Sequence, residues 1–322
     1  MLQLKEYTTF IENNLKKVEI PDSPSGLYDP IRYFLQIGGK RIRPILTLLG
    51  AELFGTDKEK ALSQALSIEV FHNFTLVHDD IMDQAPLRRN KETIHQKWNI
   101  NSAILCGDVM LIKAYELLCD IDPEKLSETL QLFNKTATQV CEGQQLDLDF
   151  EYRDDVSIDE YIEMIRLKTS VLLGGALKIG AIIAGAGEKD KTEIYEFGQN
   201  IGLAFQIQDD ILDLYADPVK FGKQVGGDVI SNKKTFLHLT ALNKATKEQL
   251  EIARQLKNEP DIELKVKRTR ELYDQVGVKQ DCKKKIQEHY NIALNALHRV
   301  AVPEENKKNI VELAGYLMDR DL

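Results

Sequence analysis

Phe74-Thr75-Leu76-Val77-His78-Asp79-Asp80-Ile81-Met82-Asp83 ends an apolar run in three aspartates, and Phe205-Gln206-Ile207-Gln208-Asp209-Asp210-Ile211-Leu212-Asp213 does so again. Both stretches read as buried helix. Residues four apart share a helix face, so Asp79 pairs with Asp83 and Asp209 with Asp213. Carboxylates among apolar side chains cost several kcal/mol unless a cation lies between them. Their hard oxygens suit Mg2+, which keeps waters and shares its shell with substrate phosphates. A single such run is ordinarily a cap or a solvated face. Two, both inside apolar flanks, predict a diphosphate held through magnesium, on two helices facing each other across one cavity.

Helical spacing extends outward from both runs. It predicts helices over 2–18, 44–54, 59–83, 104–118, 124–147, 161–184, 194–215, 237–256, 262–276, 279–298 and 304–317. Gly and Pro punctuate the joins, among them Pro21 to Pro24, Gly38-Gly39, Gly55, Gly226-Gly227, Pro260 and Pro303. Strand alternation with Asn-Gly or Asp-Gly turns is missing. No Pro-, Ser- or Gly-rich linker divides the chain, so the expectation is one all-α domain, 1–322, a large helical bundle with a central cavity.

Composition narrows the function. The 322 residues are 43% hydrophobic, enough for a large core, and the net charge of -9 argues against non-specific nucleic-acid binding. Cys106, Cys119, Cys141 and Cys282 lack metal-site spacing and read as reduced core thiols. The start Met1-Leu2-Gln3-Leu4-Lys5-Glu6 lacks the apolar core of a secretion signal, and Lys178 with several glycines interrupts the apolar run around 171–186. The expectation is a cytoplasmic protein with no membrane span.

Diphosphates held by magnesium still need basic groups. Gly38-Gly39-Lys40-Arg41-Ile42-Arg43-Pro44 places Lys40 and Arg43 at a glycine-led helix start, where backbone N–H groups favour anions. Leu87-Arg88-Arg89-Asn90 follows the first acidic helix. Lys223, Lys233 and Lys234 follow the second, in the glycine-rich stretch Phe221-Gly222-Lys223-Gln224-Val225-Gly226-Gly227-Asp228, and Lys168-Thr169 lies between. Two basic loops directly after two acidic helices fit poorly with solvated surface.

These segments, in this order over 38–235, resemble the motif series of the trans-isoprenyl diphosphate synthases, the polyprenyl synthetases that include farnesyl and geranylgeranyl diphosphate synthases. The resemblance implies the all-α isoprenoid synthase type I fold, a homodimer, and three Mg2+ per site. It implies that Asp79, Asp83 and Asp209 ligate magnesium, with Asp80, Asp210 and Asp213 in support. Arg88, Lys168, Lys223 and Lys233 would hold the allylic diphosphate. Lys40, Arg43, His72 and Arg89 would hold isopentenyl diphosphate. Thr169 and Gln206 would turn oxygens toward the carbon that becomes cationic. The chain departs from many relatives at its end, Met318-Asp319-Arg320-Asp321-Leu322, which is no basic tail, so a closing role for Arg320 is not expected.

The expected activity is a magnesium-dependent 1'-4 condensation of isopentenyl diphosphate with an allylic diphosphate. Phe74 lies about 7–8 Å and Phe71 about 12 Å along the helix from Asp79, at ~1.5 Å per residue. Either ring could floor the product tunnel and exclude very long products; the family resemblance then implies a C20 product, with C15 close behind. Two alternatives stand beside this one. A terpene cyclase shares the acidic helix but leaves the Lys40–Arg43 segment without purpose. A di-iron bundle would use Glu69-x-x-His72 and Glu92-x-x-His95.

Overall fold

The computed structural model describes residues 2–216 and 225–319, and helical periodicity has become helix over nearly all of them. The described residues fall into two compact units. The first comprises Met1–Phe133, Ala176–Lys191 and Val302–Ile310; the second comprises Asn134–Gly175, Thr192–Ala301 and Val311–Leu322.

In the first unit, α1 (Leu2–Leu15), α2 (Ser25–Leu35) and α3 (Ile42–Leu53) precede the long α4 (Leu62–Met82), which bears the first acidic run. After α4 come a short hairpin, β1 (Leu87–Arg88) and β2 (Lys91–Glu92), the single turn α5 (Ile94–Lys97), and α6 (Ile100–Leu118). α4 lies antiparallel against α6, and polar side chains on α4 stitch the pair together. Ser67 Oγ donates to Ala114 O at 2.6 Å, and Gln64 Nε2 donates to Asp120 O at 2.6 Å. Both bonds reach carbonyls around the C-terminal end of α6. At the other end Gly107 admits the His78 ring, whose Nε2 lies 3.2 Å from Ile104 O.

α7 (Pro123–Glu151) leads to α8 (Ile158–Ile165), which a Ser157–Glu160 capping box starts. A π-helical turn, Arg166–Ser170, joins α8 to α9 (Val171–Ile183) without a break. α10 (Glu188–Tyr215) carries the second acidic run. Its Leu203, Ile207, Ile211 and Leu214 recur at helical spacing and are buried in the second unit's core with Phe236, Leu237, Leu272 and Val278. Beyond it lie α11 (Gly227–Ile230), α12 (Phe236–Lys244), α13 (Lys247–Lys257), α14 (Ile262–Val276), α15 (Val278–Arg299) and α16 (Glu304–Met318).

Three expectations needed correction. The single helix expected over 237–256 is two, because Thr246 and Gln249 form a capping box that starts α13 afresh. The segment after Asp83 is a hairpin, with Leu87 opposite Glu92 and Arg88 opposite Lys91. Arg89 and Asn90 make its turn at φ 52 and 62, conformations that Gly or Asn adopts more readily than Arg. Cys106 and Cys282 are buried as expected, whereas Cys119 and Cys141 are exposed; all four are free thiols. No helix among the described residues is long and apolar enough to cross a membrane.

Candidate active site

The hairpin parts two adjacent arginines. Arg88, on β1, reaches back to the end of α4, its Nε 2.7 Å from Asp80 Oδ1 and its Nη2 3.6 Å from Asp79 Oδ2. Arg89, in the turn, lays its guanidinium against Gly39. Asp80 is 1% exposed, and its other oxygen, Oδ2, is buried with no hydrogen-bond partner. Burial, together with Asp79 and Asp83, pushes its carboxyl up to about 6 against the pull of Arg88.

The glycine-led loop before α3 supplies the other basic groups. Gly38 (φ 86), Gly39 (φ 149) and Arg41 (φ 53) turn the chain so that Lys40 is exposed and Arg41 is buried. Only glycine tolerates the Gly39 backbone without strain. Arg43 Nη1 lies 3.1 Å from His72 Nε2, on α4. Burial first, then Arg43 and Arg89, hold His72 well below its ordinary value, so the neutral ring accepts from Arg43. Arg43, His72 and Arg89 thus form one group, and Lys40 is exposed on the loop that leads from Gly39 to Arg43.

In the second unit, Lys168 and Thr169 lie in the π turn. π turns recur at functional sites. Gly143 of α7 makes this one possible: a β-carbon there would come within 2.7 Å of Leu167 C and Lys168 Cα. Lys168 Nζ pairs with Asp147 Oδ2 at 2.5 Å. Thr169 Oγ1 donates to Gln206 Oε1 at 3.2 Å, and Gln206 Nε2 donates to Asp210 Oδ1 at 3.3 Å. Asp210 also accepts from the Tyr161 hydroxyl and, at 3.3 Å, from Phe236 N. Burial and nearby Asp228 push the Asp210 carboxyl well above the usual range, while those donors oppose the rise. Asp228 N donates to Asp213 Oδ2 at 3.0 Å; burial, Asp213, Asp147 and Asp209 push its own carboxyl up to about 6 against Lys233. Lys223 and Arg320 lie outside the described residues.

The aromatic positions on α4 belong to a row of rings. His78 and Phe74 have centroids 4.9 Å apart, Phe74 and Phe71 5.6 Å, Phe71 and Phe133 5.1 Å, and Phe133 and Tyr115 5.0 Å. Phe71 and Phe133 are each 1% exposed.

Sequence reasoning missed Asp147, Asp228, Tyr161, Gly143 and Phe133. Asp228 had a signal, since it closes the glycine-rich stretch that carries Lys223. Gly143 and Tyr161 had none, because each matters through a partner distant in sequence.

Residues 24–276 match the Polyprenyl synthetase family model. A geranylgeranyl pyrophosphate synthase of Geoglobus acetivorans is 36% identical over 99% of this chain and 98% of its own. A geranylfarnesyl diphosphate synthase of Natronomonas pharaonis is 41% identical over 72% of this chain and 73% of its own. A crystal structure of a geranylgeranyl pyrophosphate synthase superposes with a TM-score of 0.94 at 45% identity, covering 99% of both chains. The chain belongs to the polyprenyl synthetase family and is a prenyltransferase of its short-chain, trans-isoprenyl diphosphate synthase branch. The all-α expectation holds, and neither the terpene cyclase nor the di-iron reading finds support. Glu69, which a di-iron site would need as a ligand, is instead buried against Arg41 at 2.5 Å.

Proposed function

We propose that this enzyme joins isopentenyl diphosphate to an allylic diphosphate, head to tail (1'-4), with geranylgeranyl diphosphate (C20) as main product and farnesyl diphosphate (C15) the nearest alternative. The observation that carries this reading is the parting of Arg88 from Arg89. One reaches the aspartates of α4 and the other the Gly39–His72 group, so a single hairpin serves two anionic subsites. A cyclase needs only the first.

Magnesium fits the acidic side chains, which offer only hard oxygens and include the buried Asp80 Oδ2. Among the described residues no three His, Cys, Asp or Glu side chains form a ready cage. Bound there, with three ions per site as the family resemblance implies, magnesium would act as a Lewis acid on the departing diphosphate. Asp79, Asp83 and Asp209 are the proposed ligands. Asp80 and Asp213 support them, and Asp210 does so by orienting Gln206 and Tyr161. Arg88, Lys168, Lys233 and Lys223 hold the allylic diphosphate; Arg88 and Lys168 exchange Asp80 and Asp147 for its oxygens.

Lys40, Arg43, His72 and Arg89 hold isopentenyl diphosphate so that its double bond faces the allylic C1. As the C1–O bond breaks, Thr169 and Gln206 stabilise the cation with their dipoles. The alkene's terminal carbon attacks C1, and a proton leaves the isopentenyl C2 for the released pyrophosphate. Phe74, Phe71 and Phe133 close the space that receives the tail.

The chain is proposed to work as one catalytic domain in a cytoplasmic homodimer. Ile100, Ile104, Leu105 and Ile112 are 41–60% exposed along one side of α6, an apolar stripe that a second copy would cover. Purified protein with Mg2+, isopentenyl diphosphate and each of the C5, C10 and C15 allylic diphosphates tests the reading, with product read by mass. Turnover of farnesyl diphosphate without isopentenyl diphosphate would reject it in favour of a cyclase.

A further inference from the structure

Arg41 stands between two residues proposed to bind isopentenyl diphosphate, yet turns the opposite way. Lys40 is exposed, whereas Arg41 is 4% exposed, with its guanidinium on Glu69 of α4 at 2.5 Å. Its Nη2 also donates to Leu35 O at 3.1 Å, holding the end of α2. Glu69 is 2% exposed and is also held by Asn73, whose Nδ2 donates to Glu69 O at 2.7 Å and to Oε1, the oxygen that Arg41 meets, at 3.3 Å. Glu69 precedes His72 by one helical turn, and Arg41 precedes Arg43 by two residues. The buried pair therefore ties the basic loop to the helix beside the Arg43–His72 contact. Glu69 also acts electrostatically on Arg89.

A buried ion pair is generally no more stabilising than well-packed apolar side chains of the same volume. What it adds is direction, because a guanidinium fork meets a carboxylate in few orientations. Arg41 holds a left-handed backbone at the N-cap of α3, where a small rotation would swing Lys40 and Arg43 off their targets. We propose that Arg41 and Glu69 are positioning residues that set the register of the isopentenyl diphosphate subsite and thereby its affinity for that substrate alone. The inference rests on the reading of Lys40, Arg43, His72 and Arg89 given above.

The test compares Arg41→Lys, which keeps charge without the fork, and Arg41→Met/Glu69→Leu, which keeps packing without the pair. Thermal melts and KM for each substrate are measured, with Lys40→Ala as a control on the subsite itself. The expected result is a folded variant whose KM for isopentenyl diphosphate rises roughly tenfold or more, while kcat and the allylic KM stay within about twofold. A raised KM in Lys40→Ala with none in the folded pair variants overturns the positioning role and leaves the subsite standing. An unmoved KM in Lys40→Ala as well overturns the subsite and the inference with it. If every pair variant unfolds, the pair is a core element and the inference fails.

Discussion

Arg89 lies so close to Gly39 that a β-carbon on the glycine would sit 2.7 Å from the guanidinium carbon and 2.9 Å from Nη2. The loop backbone and the hairpin turn thus share one surface, and both have positive φ angles there. Gly39→Ala is expected to push Arg89 away and raise KM for isopentenyl diphosphate roughly ten- to hundredfold, as misplacement by about an ångström commonly does. The allylic KM should stay near its original value. Steady-state kinetics with each substrate varied in turn checks both.

The row of rings below Asp79 gives a graded expectation. Phe74→Ala should lengthen the product, and Phe71→Ala should lengthen it further as the next layer. Phe71 is fully buried, so its loss should also cost about 3–5 kcal/mol of stability. Product mass and a denaturant melt are the readouts. Unchanged product length in both variants would reject the floor.

Asp79→Ala removes a proposed magnesium ligand. Turnover is expected to fall by roughly two orders of magnitude or more, the scale on which lost transition-state electrostatics is felt. The melt should scarcely move, since Asp79 is one of the carboxylates that crowd Asp80. Near-normal turnover would refute its role.

Tyr161→Phe takes one donor from buried Asp210 and nothing else. A cost of about 0.5–1.5 kcal/mol is expected, the net worth of one hydrogen bond, since Phe236 N still donates to the same oxygen. Because Asp210 also holds Gln206, kcat should fall while both KM values change little. Equal kcat in the two proteins would show that Gln206 needs no such support.

Stability should depend on pH through His238. Burial first, then Lys234 and Lys257, lower its value from 6.5 to about 4. The unfolded chain therefore takes up a proton near pH 6.5 that the native one refuses until pH ~4. The contribution is complete above pH 6.5, falls away as pH drops toward 4, and is spent below that. Urea melts at intervals over this window should show stability rising with pH less steeply in His238→Gln than in the parent, the difference between the two being the His238 contribution.

Much of this was legible in the chain. The acidic helices, the glycine-led loop and the helical class follow from local periodicity and charge, which carry their own physical signal. The break at Thr246 was equally readable, since Thr-x-x-Gln is a capping signature. The hairpin was not, because its turn is Arg-Asn and lacks the glycine that usually marks such a geometry. Asp147 and Tyr161 escaped because their partners, Lys168 and Asp210, lie 21 and 49 residues away.

The wide turn at Arg166–Ser170 also bears on how this chain aligns with others. Each residue advances a regular helix by about 100°, and a π turn takes up one extra residue locally, so the helix on either side of it stays in phase. Deleting a single residue there would restore ordinary winding and leave the Tyr161 and Val171 sides facing as before. Only the bulged backbone that presents Lys168 and Thr169 would be lost, so a homologue one residue shorter here would keep the packing and misplace the two polar groups.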